Sequence, residues 1–155
     1  MKYFLAILIL LLFSGCGNSA PTKKLKKKAY GLASKGKTEE LRKLIKENPA
    51  LANAEVARSS KFLEVVVDTR PPFKNMYKTI EMLLEEGADP NANSSKVLRK
   101  AIWHTDPISL KLLLDYGADL NTVYEKKNIT LLEYSQSFSD HRLDAITDAW
   151  EEGDD

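Results

Sequence analysis

The chain has 155 residues, 43% of them hydrophobic, and its 23 basic side chains almost balance its 22 acidic ones, for a net charge of +1. This length suits a single domain with a modest core, and the near-neutral balance argues against nucleic acid as a partner. A single cysteine excludes an internal disulfide, so packing alone must stabilise the domain.

The first fifteen residues have the pattern of an export signal. Lys2 precedes an apolar run over residues 3–13, and two small residues, Ser14 and Gly15, lead to Cys16. A charged start, a short apolar region and a small-residue cleavage site are typical of such signals. As a helix the run would span only about 16 Å, whereas the hydrocarbon core of a bilayer is about 30 Å thick. We therefore predict that residues 1–15 are a cleaved signal peptide and not a transmembrane helix.

The segment from Phe13 to Cys16 resembles the lipobox of bacterial lipoproteins, although that family prefers leucine where Phe13 stands. The resemblance implies that Cys16 is acylated, becomes the first residue of the mature chain, and anchors it in a membrane of the bacterial cell envelope. An aspartate after the cysteine tends to retain such proteins in the inner membrane, so Gly17 favours the outer membrane, with the domain facing the periplasm. The alternative is an ordinary cleaved signal followed by a chance cysteine.

Charge is distributed unevenly along the rest of the chain. Five lysines lie within residues 23–28, and four acidic residues lie within 151–155. We interpret residues 16–28 as a lipidated, lysine-rich linker and residues 154–155 as an acidic tail. The lysines are either a solvated linker and polar helix start, or a contact with an anionic membrane surface that would add about 1 kcal/mol for each lysine.

Two ten-residue segments, 82–91 and 112–121, nearly copy each other. Each ends in Gly-Ala-Asp-x-Asn, and the two glycines, Gly87 and Gly117, are 30 residues apart. Self-similarity at such a period indicates stacked supersecondary units.

One such unit can be followed over residues 94–123. Apolar residues at helical spacing predict a first helix over 97–104. Asp106 and Pro107 are typical of the N-cap and first position of a second helix, and Gly117 is typical of its end. Two such short helices need neighbours on each side to bury their apolar faces.

On these residues the sequence resembles the ankyrin repeat family, whose unit is helix, tight turn, helix, Gly-Ala-Asp-x-Asn and a β-hairpin finger. The resemblance implies an all-α repeat fold, an ankyrin solenoid with about four stacked helix-turn-helix units and short β-hairpin fingers. It also implies that Asp89 and Asp119 are structural, bonding the backbone at the turn into the finger. The outer two units match loosely, as capping repeats do. The ankyrin domain would cover residues 29–153, with units at about 29–54, 58–93, 94–123 and 128–153.

The second unit has five extra residues between its helices, around Arg70–Lys74. Two prolines in this segment forbid helix and favour an extended loop. Phe73 is either an exposed contact or tucks back onto Tyr77, and the residues alone do not separate these alternatives.

We find no catalytic constellation. The single cysteine is assigned to lipid, and neither His104 nor His141 has a second histidine, a cysteine or a carboxylate at metal-ligand spacing. No phosphate-binding loop or nucleophile motif is present. We therefore expect a protein that is not an enzyme and has no metal, cofactor or small-molecule substrate.

A protein-binding surface remains. Ankyrin proteins bind through their fingertips and the exposed end of each first helix, which form a concave face, and the resemblance implies the same here. Trp103 stands out because nothing in a stack requires tryptophan there, and tryptophan is a frequent interface anchor. Alternatively, Trp103 lies flat against the helix of Asp68, and His104 is a solvated surface residue. The candidates for partner binding are Arg58, Ser60, Asp68, Thr69, Phe73, Asn93, Ser95, Trp103, His104, Lys126, Lys127 and Phe138.

Three functions remain open at this point. The first is a non-enzymatic, membrane-anchored module that binds a partner protein through the concave ankyrin face. The second is an immunity protein that neutralises an envelope-targeting toxin, an idea that rests on family analogy alone. The third is an envelope stress or structural factor without a single high-affinity partner.

Overall fold

A computed structural model describes residues 20–57 and 60–137 of the chain. This part is mostly helical and also contains two short hairpins, which is compatible with the predicted all-α class. Among the described residues, no helix is both long and apolar enough to cross a membrane. The helices are α1 (Lys23–Ser34), α2 (Thr38–Glu47), α3 (Phe62–Asp68), α4 (Met76–Glu85), α5 (Ala92–His104), α6 (Pro107–Asp115) and α7 (Leu131–Gln136). The strands are β1 (Glu55–Ala57), β2 (Ser60–Lys61), β3 (Val123–Tyr124) and β4 (Ile129–Thr130).

The first six helices contact one another in consecutive pairs: α1 with α2, α3 with α4, and α5 with α6. Between the pairs, α4 contacts both α2 and α6, while α3 contacts α5. Each helix is too short to be stable alone, so these contacts, and not helix propensity, must hold it in place. They enclose one apolar core, whose fully buried side chains include Leu41, Phe62, Ile80, Leu98 and Leu113. This order places α3 and α5 side by side.

The two Gly-Ala-Asp-x-Asn segments form the same turn. Gly87 and Gly117 have φ angles of +86° and +85°, a left-handed conformation in which helices commonly end and which glycine adopts without strain. Two residues later, the Oδ1 atoms of Asp89 and Asp119 each accept the backbone N–H of the following asparagine at 2.8 Å. The prediction that these aspartates bond the backbone at the turn is therefore confirmed.

Asparagine side chains connect each turn to the next. Asn53 Nδ2 donates to the Gly87 carbonyl at 2.7 Å, and its Oδ1 accepts the N–H of Asp89 at 2.8 Å. Asn91 makes the same two bonds to the corresponding positions of the following turn, at 2.8 and 2.9 Å. We call these four hydrogen bonds the asparagine ladder. They fix the spacing of three successive turns through bonds from side chains to backbone.

Hairpins precede α3 and α7, but the connection into α5 differs from the expected finger. In the hairpins, Glu55 pairs with Lys61 and Val123 pairs with Thr130. The connection after Gly87 has only residues 88–95, whereas the one after Gly117 has residues 118–130. Residues 93–95 turn instead in the left-handed region, with φ between +50° and +55°, so the regular part of α5 begins after them.

This connection corrects the assignment of Ser95 as a fingertip residue. Its side chain is fully buried, and its hydroxyl bonds Asn91 Oδ1 at 3.1 Å and Thr122 Oγ1 at 3.0 Å. Asn93, in the same turn, is exposed. Ser95 therefore stabilises the turn and is not available to a partner.

Helix α1 begins earlier than predicted. The side-chain oxygen of Thr22 accepts the N–H of Leu25 at 3.3 Å, which caps the helix and starts it at Lys23. Residues 23–28 therefore belong to the folded domain and not to a linker, and the predicted domain start at residue 29 is too late.

The inserted loop at residues 70–75 packs against the first helix pair. The ring of Phe73 meets the ring of Tyr30 edge to face, with centroids 5.5 Å apart, and Asn75 Nδ2 donates to the Gly36 carbonyl at 3.1 Å. Phe73 is therefore half-buried, which corrects its assignment as an exposed contact. The alternative, in which Phe73 tucks back, agrees with this burial, and the ring that the structure shows against it is that of Tyr30.

Candidate functional site

Two sets of oppositely charged side chains face each other across α3 and α5. Glu64 and Asp68 are four residues apart on α3, and Lys96, Lys100 and His104 follow the same spacing on α5. Side chains four residues apart lie on one face of a helix, so the side-by-side packing of α3 and α5 brings the two sets together. We call these five side chains the acid–base row.

Three short contacts connect the acidic side chains of the row with the basic ones. Lys96 Nζ lies 2.8 Å from Glu64 Oε1, and Lys100 Nζ lies 2.9 Å from Asp68 Oδ2. His104 Nε2 lies 2.9 Å from Asp68 Oδ1. Both oxygens of Asp68 are thus engaged, and its orientation is fixed from α5 before any partner arrives.

The electrostatics of Asp68 follow from these contacts. Partial burial opposes its ionisation, but the hydrogen bonds from His104 and Lys100 outweigh that effect and lower the pKa of Asp68 below its ordinary value of 3.8. Asp68 is therefore a carboxylate at neutral pH, held between two donors.

Glu64 lies deeper than Asp68, with only 4% of its surface exposed. Its Oε1 accepts from Lys96 and, at 3.1 Å, from the hydroxyl of Ser60. Its Oε2 is buried and has no hydrogen-bond partner among the described residues. Ser60, predicted as a fingertip contact, directly follows the turn of its hairpin, where it pairs with Ala57, and its hydroxyl supports the row.

The structure brings two of the predicted site residues into contact, and a third is adjacent to one of them in the sequence. Asp68 and His104 are in direct contact, and Trp103 directly precedes His104 on α5. Trp103 is 58% exposed, and the ring of His104 contacts Asp68. The alternative of a merely solvated His104 is wrong, because its side chain is only 18% exposed and bonds to Asp68.

The remaining candidates are dispersed. The hydroxyl of Thr69 donates to the Val65 carbonyl at 2.6 Å and so completes the end of α3. Lys126 and Lys127 are exposed in the turn between β3 and β4, where Lys127 Nζ lies 5.0 Å from the ring of Tyr134. Three further predicted residues, Cys16, Arg58 and Phe138, lie outside the described residues.

A second feature was not predicted from the sequence. The guanidinium of Arg99 lies 4.4 Å from the centre of the Tyr124 ring, a cation–π contact between α5 and β3. Together with Asn93 and Ser94 these residues line an open cleft of about 170 Å³. Its volume is below the roughly 300 Å³ at which small-molecule pockets begin. The cleft is therefore smaller than a typical small-molecule site.

Sequence reasoning also missed Glu64, Lys96 and Lys100. Their spacing by four was visible and could have indicated a charged face on each helix. Which two faces meet depends on the packing of α3 against α5, and no local pattern indicates that.

The described part of the chain contains no cluster of three histidine, cysteine or acidic side chains that could hold a metal ion. A scan of protein-family models, a search of curated proteins and a search of solved structures each returned no match to this chain.

Proposed function

We propose that this chain is a non-enzymatic, ankyrin-type protein-binding module of the bacterial envelope. It is anchored through acylated Cys16 and faces the periplasm. Its partner would be a protein, held on the face that contains the acid–base row and Trp103. The observation that carries the proposal is the 58% exposure of Trp103, which directly precedes His104 of that row on α5.

The module part of the proposal draws support from the helix pairs and the asparagine ladder. Helices that contact each other pair by pair, with turns bonded to the next turn through Asn53 and Asn91, are what a stack of similar units requires. The anchoring part draws its support from the lipobox-like segment alone.

The face around Trp103 has the composition of a binding hot spot. Interface energy concentrates in a few residues, with tryptophan prominent among them, surrounded by groups that exclude water. Here the exposed Trp103 lies three positions after Lys100 and one before His104 on α5, and both of those side chains bond to Asp68. A partner therefore meets fixed charges, and little side-chain entropy is lost when it binds.

The test is affinity purification of the full acylated protein from its native envelope in detergent, followed by mass spectrometry. Wild type is compared with Trp103→Ala and with Ile108→Ala, a matched change at a 51% exposed residue of α6. A hot-spot tryptophan contributes about 2 kcal/mol, so Trp103→Ala should weaken binding of the partner about 30-fold. Ile108→Ala should leave it unchanged.

Two results would overturn the proposal. One is a wild-type sample without a stoichiometric partner, and the other is the same partners recovered equally with both variants. Circular dichroism of the two variants checks that neither change unfolds the domain.

A further inference from the structure

One face of α1 is strongly basic. Lys23, Lys24, Lys27 and Lys28 are exposed, and Lys26 is half-exposed. The opposite face carries Ala29 and Ala33, which are fully buried in the core. We call the five lysines the lysine face.

These lysines have no acidic partner within the described residues, where every ion pair involves other side chains. By contrast, most of the basic residues on α2 and α5 are paired, for example Arg42 with Glu85 at 2.6 Å. Within the part of the chain that the structure describes, the positive charge of the lysine face is therefore not neutralised by an ion pair.

The position of the lysine face is also unfavourable for the helix that carries it. The first turn of α1 contains no acidic residue, although the N-terminal end of a helix bears a partial positive charge that favours anions and disfavours lysine by about 0.3–1 kcal/mol per residue. A sequence that breaks a local rule in this way often does so at a functional surface.

Two further facts indicate the kind of partner that the lysine face binds. The chain has a net charge of +1, and five of its positive charges lie on the lysine face, so the rest of the sequence carries a net charge of −4. An anionic surface would therefore attract this face and repel the remainder, which orients the domain. Cys16 precedes Lys23 by seven residues, a segment that spans at most about 25 Å even when fully extended.

We propose that the lysine face of α1 docks on the anionic headgroups of the membrane to which the chain is attached. The docked face holds the domain in one orientation, with the acid–base row on other helices, α3 and α5, left for the partner. The inference depends on the proposed function only for the proximity of Cys16 to the bilayer, since attraction between lysines and anionic lipid needs neither acylation nor a partner protein.

The experiment measures binding of the full chain carrying Cys16→Ser, so that acyl chains do not contribute. Sedimentation with vesicles of phosphatidylcholine alone, and of phosphatidylcholine mixed with phosphatidylglycerol, gives the preference for anionic lipid. The apolar run at residues 3–13 would contribute equally to binding of both kinds of vesicle. The ratio of the two affinities therefore cancels this contribution.

The first variant replaces Lys23, Lys24, Lys27 and Lys28 with glutamine. Its matched control replaces four other exposed lysines that have no ion pair among the described residues, namely Lys43, Lys74, Lys126 and Lys127. Both changes remove the same charge. Because each contacting lysine contributes about five-fold in affinity, the first variant should lose most of the anionic preference, and the control should keep it.

The preference should also fall steeply with salt, because the screening length shrinks from about 10 Å at 0.1 M to about 3 Å at 1 M. Equal losses in the two variants would show non-specific attraction and overturn the proposal, as would a starting chain without anionic preference. Recovery of an acidic protein, in place of lipid, through the lysine face would assign the surface to another partner and also overturn it. Removing lysines from the start of α1 should not lower its helix content, so unfolding does not obscure the result.

Discussion

The asparagine ladder yields a prediction whose size can be worked out from its bonds. Asn91 donates to the Gly117 carbonyl at 2.8 Å, and its Oδ1 accepts from the Asp119 N–H at 2.9 Å and from the Ser95 hydroxyl at 3.1 Å. Asn91→Ala removes all three bonds. A net hydrogen bond contributes about 0.5–1.5 kcal/mol, and the turn at Gly117 and Asp119 is exposed, so water replaces part of what is lost. We therefore expect a destabilisation of about 2 kcal/mol.

The matched control is Asn121→Ala. Asn121 occupies the same position of the next turn, but its side chain is exposed and makes no hydrogen bond within the described residues. Replacement of such a residue should change the free energy of unfolding by less than about 0.5 kcal/mol.

The assay is urea unfolding of the full chain, followed by circular dichroism at constant pH. With a slope of about 1–3 kcal/mol per molar urea, Asn91→Ala should lower the midpoint by about 1 M and leave the slope unchanged. Equal midpoints for the two alanine variants would refute the reasoning, because the ladder bonds would then contribute no more than an exposed side chain.

Three further predictions concern stability. The folded pKa of Asp68 lies below its ordinary value of 3.8, so this carboxylate stabilises the fold above that pH, and the stability is lost as the pH falls through the lower folded value. Asp68→Asn should therefore flatten the acid side of a plot of unfolding free energy against pH. Parallel plots for wild type and variant would contradict this. Gly36→Ala should cost at least about 1–2 kcal/mol, because Gly36 has φ +66° and a Cβ there would lie 2.8 Å from the Lys74 carbonyl oxygen. Gly31→Ala should gain up to about 1 kcal/mol, because Gly31 lies within α1 with nothing within 4 Å of its Cβ position; urea midpoints that move in the same direction for both glycines would exclude this explanation.

Local features of the fold were predictable from the sequence where their chemistry is local. Asp106 caps α6 by accepting the Ser109 N–H at 3.1 Å, and Pro107 occupies the first position of the helix, as expected. Gly117 follows the end of its helix in a left-handed conformation, as predicted, and Gly87 does the same. These assignments depend on interactions between residues a few positions apart.

The misses depend on contacts between distant parts of the chain. Phe73 had no local partner because Tyr30, on which it packs, lies in another helix pair. Ser95 was predicted to lie at a fingertip. That its connection is short and forms no finger becomes apparent only when the positions of both flanking turns are known. Of the candidate site, Asp68, Trp103 and His104 were among the predicted residues. The bond between Asp68 and His104, and the roles of Glu64, Lys96 and Lys100, required the packing of α3 against α5.

The asparagine ladder also bears on how such a chain can change over generations. The side chain of Asn53 reaches across 34 residues of sequence to Gly87, whereas that of Asn91 reaches across 26 to Gly117, with nearly the same bond lengths. The lengths of chain between the bonded turns thus differ by eight residues, and the same pair of hydrogen bonds forms in both cases. Insertions and deletions in the hairpins or in the 70–75 loop should therefore leave the bonds of the asparagine ladder in place. Descendants of this chain can therefore vary the length of their surface loops while inheriting an unchanged scaffold.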